Sequence, residues 1–245
     1  MSGVGGMLAF DIETTGLDPA KCVVTVVCTQ DYATGERRSY EFARTRDENP
    51  EDHAELVGAL AAALDAAPAL CAFNGVRFDL PFLETAFGLP AAQVVGWVLK
   101  TSDILEQCRL LHGCTFSLNM LCEANGVQVK SSSGLEAVHM AQRREWQRLR
   151  EYCADDVQIL CDLYRRRRLV NPRTRAVLEL AEVAPPGLYA AGAAAGESEG
   201  EGGQAGGSGQ AGGQAAAPAL KEALAALRRQ LAEMAQTLEA LEAQV

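Results

Sequence analysis

Residues 189–219 constrain this chain most, because they offer almost no bulky apolar side chain to bury. Thirty of them, 190–219, hold ten glycines and eleven alanines. Such a segment cannot offset the entropy of being ordered, and it is expected to be a flexible linker. The chain is thereby divided into a domain at 1–188, a Gly/Ala-rich linker at 189–219 and a C-terminal segment at 220–245.

The last segment has the opposite character. Leu220, Leu224, Leu227, Leu231, Met234, Leu238, Leu241 and Val245 recur at alternating spacings of four and three, the a/d seam of a coiled coil. Pro218, just before the first seam position, suits a helix start. About four heptads are marginal alone, so a partner helix is expected and self-association through 220–245 is the favoured form.

The 1–188 domain must carry the core, and 48% apolar residues in a chain of 245 suffice for one. Apolar runs stop well short of the roughly eighteen residues that a bilayer helix needs, so no membrane partner is expected. The opening MSGVGG has no basic start followed by an apolar run, so no secretory address is expected. Eight cysteines without a C-x-x-C pair suggest free thiols and an intracellular, reducing compartment, nucleus or cytoplasm alike.

A net charge of -10 disfavours a general nucleic-acid coat. Between His139 and Arg175, however, ten arginines face five acids, and some of them could steer a phosphate backbone. A solvated helix face is the plainer alternative. Cys108, His112, Cys114 and Cys122 have the right atoms for zinc but lack its compact spacing, and buried free cysteines are the simpler reading.

Within the domain, Met7–Ile12, Val23–Thr29 and Arg38–Ala43 read as three strands whose short connections favour antiparallel pairing. A helix after Pro50 carries Leu56, Leu60 and Leu64 on one face. Ala69–Phe73 reads as a central strand, Asn74-Gly75 as a turn and Asp79 as the start of a helix. Val94–Leu99 is expected as the fifth strand. Short helices follow near 104–111, 117–124 and 135–141, and a long one from Arg144 to about Arg168. The fold class is α/β: a mixed five-stranded sheet flanked by helices, plus the separate coiled-coil helix.

Three acidic places stand out. Asp11 and Glu13 close the apolar run MLAFDI two residues apart, on one face of an extended chain, where their repulsion calls for a cation or donors. Asp79 follows a second apolar run and, taken alone, reads as a helix N-terminal acid. Tyr152 and Asp156 lie four apart on one helical face, while Asp155 points elsewhere and is expected in solvent.

The segments FDIETTGL, NGVRFDLPFL and YCADD, in that order, resemble the three motifs of the DnaQ-like 3'-5' exonucleases of the ribonuclease-H-like superfamily. The likeness runs from about Leu8 to Tyr164. The intervening TFSLNMLCEANGVQVKSSSGLEAV is similar to stand-alone relatives of the family B DNA polymerase proofreading domain. The histidine branch of the family would need His at position 151, which is Glu; Tyr152 matches the tyrosine (DEDDy) branch.

The resemblance implies a ribonuclease-H-like sheet and a catalytic set of Asp11, Glu13, Asp79, Tyr152 and Asp156. It implies that Asp11, Glu13, Asp79 and Asp156 hold two Mg2+ or Mn2+ ions. Tyr152 would orient the attacking water. Thr14, Thr15 and Leu17, with Asn74 and Phe78, would receive the last nucleotide of a single-stranded or frayed 3' end of DNA, with RNA possible. None of these contacts reads a base edge, so little sequence preference is expected. Trimming of RNA 3' ends, or a non-catalytic scaffold that binds nucleic acid and recruits partners through its coiled coil, are the alternatives.

Overall fold

The computed structural model describes residues 6–127 and 134–180. The expected linker at 189–219 and coiled-coil helix at 220–245 lie outside the described residues. Strands β1 (Met7–Thr14), β2 (Val24–Asp31) and β3 (Arg37–Tyr40) pair antiparallel in succession, as short connections demand. Helix α1 (Phe42–Glu48) and a 3₁₀ turn (Pro50–Asp52) lead into α2 (His53–Ala66), which buries Leu60 and Leu64. Strand β4 (Ala69–Ala72) then adds parallel to β1, a crossover that α2 makes possible.

Helices α3 (Asp79–Phe87) and α4 (Ala91–Leu99) precede β5 (Thr101–Asp103), which pairs parallel with β4. The sheet is mixed and five-stranded, in the order β3-β2-β1-β4-β5. Helices α5 (Ile104–His112), α6 (Leu118–Ala124), α7 (Gly134–Gln142) and α8 (Trp146–Arg166) follow. A hairpin of β6 (Arg168–Val170) and β7 (Val177–Glu179) ends the described chain. Among the described residues no helix is long and apolar enough to cross a membrane, and all eight cysteines are free thiols.

Three expected elements are corrected. The third strand does not run to Ala43 but ends at Tyr40, and Phe42 and Ala43 are already the buried first residues of α1. Val94–Leu99 is not the fifth strand but most of α4, and the fifth strand is the polar Thr101–Asp103. Val94 and Trp97, three residues apart, bury one helical face, and the Trp97 indole donates to Asp65 on α2 at 2.6 Å. The long helix starts at Trp146 rather than Arg144, whose positive φ of 56° does not continue a right-handed helix.

The sheet separates two cores. On one face Met7 and Ala9 of β1, Val26 and Cys28 of β2, and Ala69 and Cys71 of β4 meet α8 through Leu149, Cys153, Val157 and Leu160. On the other, Phe10 and Ile12 of β1 with Leu70 and Ala72 of β4 meet α2, α3 and α4. This alternation positions the site, because Asp11 and Glu13 continue the row of Met7 and Ala9 toward α8.

Candidate active site

The last turns of β1 place two carboxylates where the apolar row ends. Asp11 is half-buried and Glu13 is 8% exposed. A β-bulge between Glu13 and Thr14 breaks the ladder to β2 immediately beyond them. Opposite stands α8, whose Cys153 is fully buried and directs its thiol to the Asp11 carbonyl at 3.4 Å and to Asp11 Oδ2 at 3.9 Å. Asp11, Glu13 and Cys153 each bring a donor atom within 4.8 Å of the others, a metal-sized group.

Tyr152 lies within electrostatic reach of Asp11 and Glu13 from the same helix, Asp156 stands one turn further along it, and both are half-buried. Burial first, and then the charges of Asp156, Glu13 and Asp11, push the Tyr152 phenol well above its usual range. Its hydroxyl is therefore protonated at neutral pH. Asp156 also faces Cys122 of α6, whose thiol is pushed up to about 11 by burial and then by that carboxylate. Asp155 is exposed, as its angle on the helix implies.

Asp79 arrives from the other side of β1. Strand β4 pairs with β1 only from Met7 to Ala9, so beyond that point the Ile12 amide has no strand partner on this side. It donates instead to Asp79 Oδ1 at 3.2 Å. Asp79 is only 4% exposed, and burial, reinforced by the charge of Asp103, raises its carboxyl to about 7.

The 74–78 turn delivers Asp79. Asn74 adopts a left-handed φ of 65°, which asparagine tolerates better than most residues. A side chain at Gly75 would lie 2.5 Å from the Ala72 methyl, so only glycine fits there. The Phe78 amide donates to the Asn74 carbonyl at 2.9 Å, and the half-buried Phe78 ring packs 5.5 Å from that of Phe82.

In the turn that follows β1, Thr14 Oγ1 donates to the Gly16 carbonyl at 2.6 Å. Thr15 exchanges hydrogen bonds with Val23, its amide donating and its hydroxyl accepting, both at 3.0 Å. The Thr15 amide is thus committed to its own turn. Leu17, 83% exposed, stands at the turn's edge.

The chemistry of the donor set fits a hard divalent cation. Burial, then contact with Cys28 and the nearby Asp11 and Glu13, hold the Cys153 thiol well above its usual range. It stays a neutral S–H donor to Asp11, which leaves carboxylate oxygens as the ligand atoms. Two acids this close within a half-buried site repel each other, and a cation offsets that cost.

Several arginines of the arginine-rich stretch are paired with acids, some of them outside that stretch. Arg143 meets Glu136 and Glu145, Arg148 meets Glu145, Arg144 meets Asp47, and Arg150 meets Glu41. The four candidate zinc donors do not gather among the described residues, and burial pushes the Cys108 thiol up to about 12. The sequence reading missed two residues that shape the site, Cys153 and Asp103. The spacing Asp103-x-x-Glu106 announces a helix cap, but nothing local indicates that Asp103 also reaches residue 74.

A mixed sheet flanked by helices, with acids at the end of its first strand facing a long helix, is a ribonuclease-H-like arrangement. The RNase_H superfamily profile matches residues 8–167, and the chain belongs to that superfamily. Solved structures similar to it include the family B DNA polymerase from the hyperthermophilic archaeon Pyrobaculum calidifontis, with 20% identity and a TM-score of 0.47 over 65% of this chain and 24% of the polymerase. A nuclease in its apo form shows 24% identity and a TM-score of 0.43 over 65% of this chain and 70% of that one. Apo exonuclease I shows 18% identity and a TM-score of 0.39 over 60% of this chain and 43% of that one. The chain thus spans about a quarter of the polymerase and under half of exonuclease I. No curated protein was found to match it.

Proposed function

We propose that the protein is a metal-dependent 3'-5' exonuclease of the tyrosine branch. It releases nucleoside 5'-monophosphates from a free 3' end, with single-stranded or frayed DNA as substrate and RNA as the alternative. One observation carries the reading: Asp11 and Glu13 share the face of β1 that meets α8, where Tyr152 and Asp156 stand, while Asp79 bonds the amide between them.

In this reading Asp11, Glu13 and Asp156, with Asp79 completing the set, hold two Mg2+ or Mn2+ ions. Bound there, the ions supply an activated water and stabilise charge on the departing 3'-oxygen. Tyr152, kept protonated, orients the water through a hydrogen bond and does not deprotonate it. The Thr14–Leu17 and Asn74–Phe78 turns receive the terminal nucleotide, with the exposed Leu17 against its base. Residues 220–245 provide self-association.

The test compares 3'-labelled and 5'-labelled DNA and RNA, with free, blocked and duplex 3' ends, in Mg2+ and Mn2+. Stepwise shortening of 5'-labelled strands, with mononucleotide released from 3'-labelled ones and protection by a 3' block, is the expected pattern. Internal cleavage of blocked strands, or no cleavage in either metal, rejects the proposal.

A further inference from the structure

We propose that Asp103, which belongs to none of the motifs, is a positioning residue that clamps the 74–76 turn and thereby holds Asp79 at the metal site. The inference rests on the reading of Asp11, Glu13, Asp79 and Asp156 as metal-holding residues. Asp103 is the last residue of β5, paired with Ala72 at the end of β4, and is 3% exposed. Beyond Ala72 the chain leaves the sheet, and its amides need other acceptors.

Asp103 supplies them with both oxygens: Oδ1 accepts from the Asn74 amide at 2.9 Å and Oδ2 from the Val76 amide at 3.0 Å. Oδ1 also accepts from the Glu106 amide at 3.0 Å, capping α5. The clamped turn contains the left-handed Asn74 and the tightly packed Gly75, a path that needs support from outside. It passes its geometry on through the Phe78 amide to the Asn74 carbonyl and the Leu80 amide to the Gly75 carbonyl, both at 2.9 Å. Asp79, between Phe78 and Leu80, then meets the Ile12 amide on β1. Hydrogen bonds therefore run from β5 to the strand that carries Asp11 and Glu13.

Only a carboxylate serves this role. Asn offers one acceptor oxygen and turns an NH2 toward an amide that needs an acceptor. Ser still caps α5 but cannot bridge two amides. The full-length protein and its Asp103→Ser and Asp103→Asn variants are titrated with Mn2+ in the absence of nucleic acid. Free Mn2+ is read by electron paramagnetic resonance, and circular dichroism selects the variants that fold.

Both substitutions are expected to weaken Mn2+ binding by about 10- to 100-fold, the usual cost of losing an outer-shell partner. The Mn2+ concentration for half-maximal cleavage should shift by the same factor, and the KM for oligonucleotide should rise as well, because the 74–78 turn also receives the terminal nucleotide. A folded variant of either kind that binds Mn2+ as tightly as wild type overturns the proposal. Wild-type protein that binds Mn2+ but cleaves nothing would reject the exonuclease reading alone, and the variants' affinities would still decide the role of Asp103. Wild-type protein that binds no Mn2+ would remove both.

Discussion

Burial of Asp79 carries an electrostatic cost, and its pH dependence has a definite sign. Burial and the Asp103 carboxylate raise its folded-state value to about 7, against an ordinary value near 3.8. Between these limits the folded protein holds a proton that the unfolded chain releases. Stability without metal therefore declines as pH rises from about 4 to about 7 and is flat above. The full effect is roughly 4 kcal/mol, as an upper bound. Asp79→Asn keeps an acceptor for the Ile12 amide and removes the charge. In EDTA it should melt higher than wild type at pH 8 and close to wild type near pH 4.5; a Tm difference independent of pH would contradict this. The same variant should lose cleavage. Asp11 belongs to the same scale, since it lies in the donor group with Glu13 and receives the Cys153 thiol. Asp11→Ala should lower kcat at least about a hundredfold in either metal, because no neighbour can supply its ligand position. An unchanged rate would remove Asp11 from the metal site.

At the scale of elements, β1 and β2 were legible as apolar and β-branched runs buried in the sheet, and α2 by the helical spacing of Leu60 and Leu64, which it buries. Asp11 and Glu13 were legible with β1, since the period of two that buries Met7 and Ala9 also aims them at α8. The fifth strand was not legible. Its three residues, Thr101, Ser102 and Asp103, are polar yet buried, and each finds a partner outside the strand. The Thr101 hydroxyl donates to the Trp97 carbonyl, Ser102 Oγ accepts from Gln107, and Asp103 accepts backbone amides. Those partners come from the fold, so a local hydrophobic pattern cannot reveal them. The valine-rich run before it reads as a strand on composition, but a polar contact fixes it as a helix. Asp65 on α2 accepts from Gln93 at 2.7 Å and from the buried Trp97 indole at 2.6 Å. Asp65→Ala leaves that indole without an acceptor and should destabilise the protein by about 1–3 kcal/mol. Urea unfolding measures the loss, and Mn2+ affinity should not change, because Asp65 touches neither β1 nor the 74–79 turn.

For the whole molecule, the two cores and every side chain of the candidate site lie between Met7 and Leu180. The candidate site is built within that limit and the expected coiled-coil seam lies outside it, so catalysis and self-association should be separable. The net charge of -10, with several arginines of the 143–165 stretch already paired to acids, also leaves little unspecific attraction for a phosphate backbone. Affinity for a 3' end should then come from the site itself, not from a basic surface shared between copies. A chain ending at residue 188 should keep the Tm, Mn2+ affinity and kcat of the full protein. In sedimentation velocity it should run as a monomer at concentrations where the full chain associates, because the sequence from Leu220 to Val245 carries an apolar seam of coiled-coil period. A truncated chain that still associates would move the interface into the folded domain. One that loses activity along with association would mean that a second copy is needed to bind or cleave the strand.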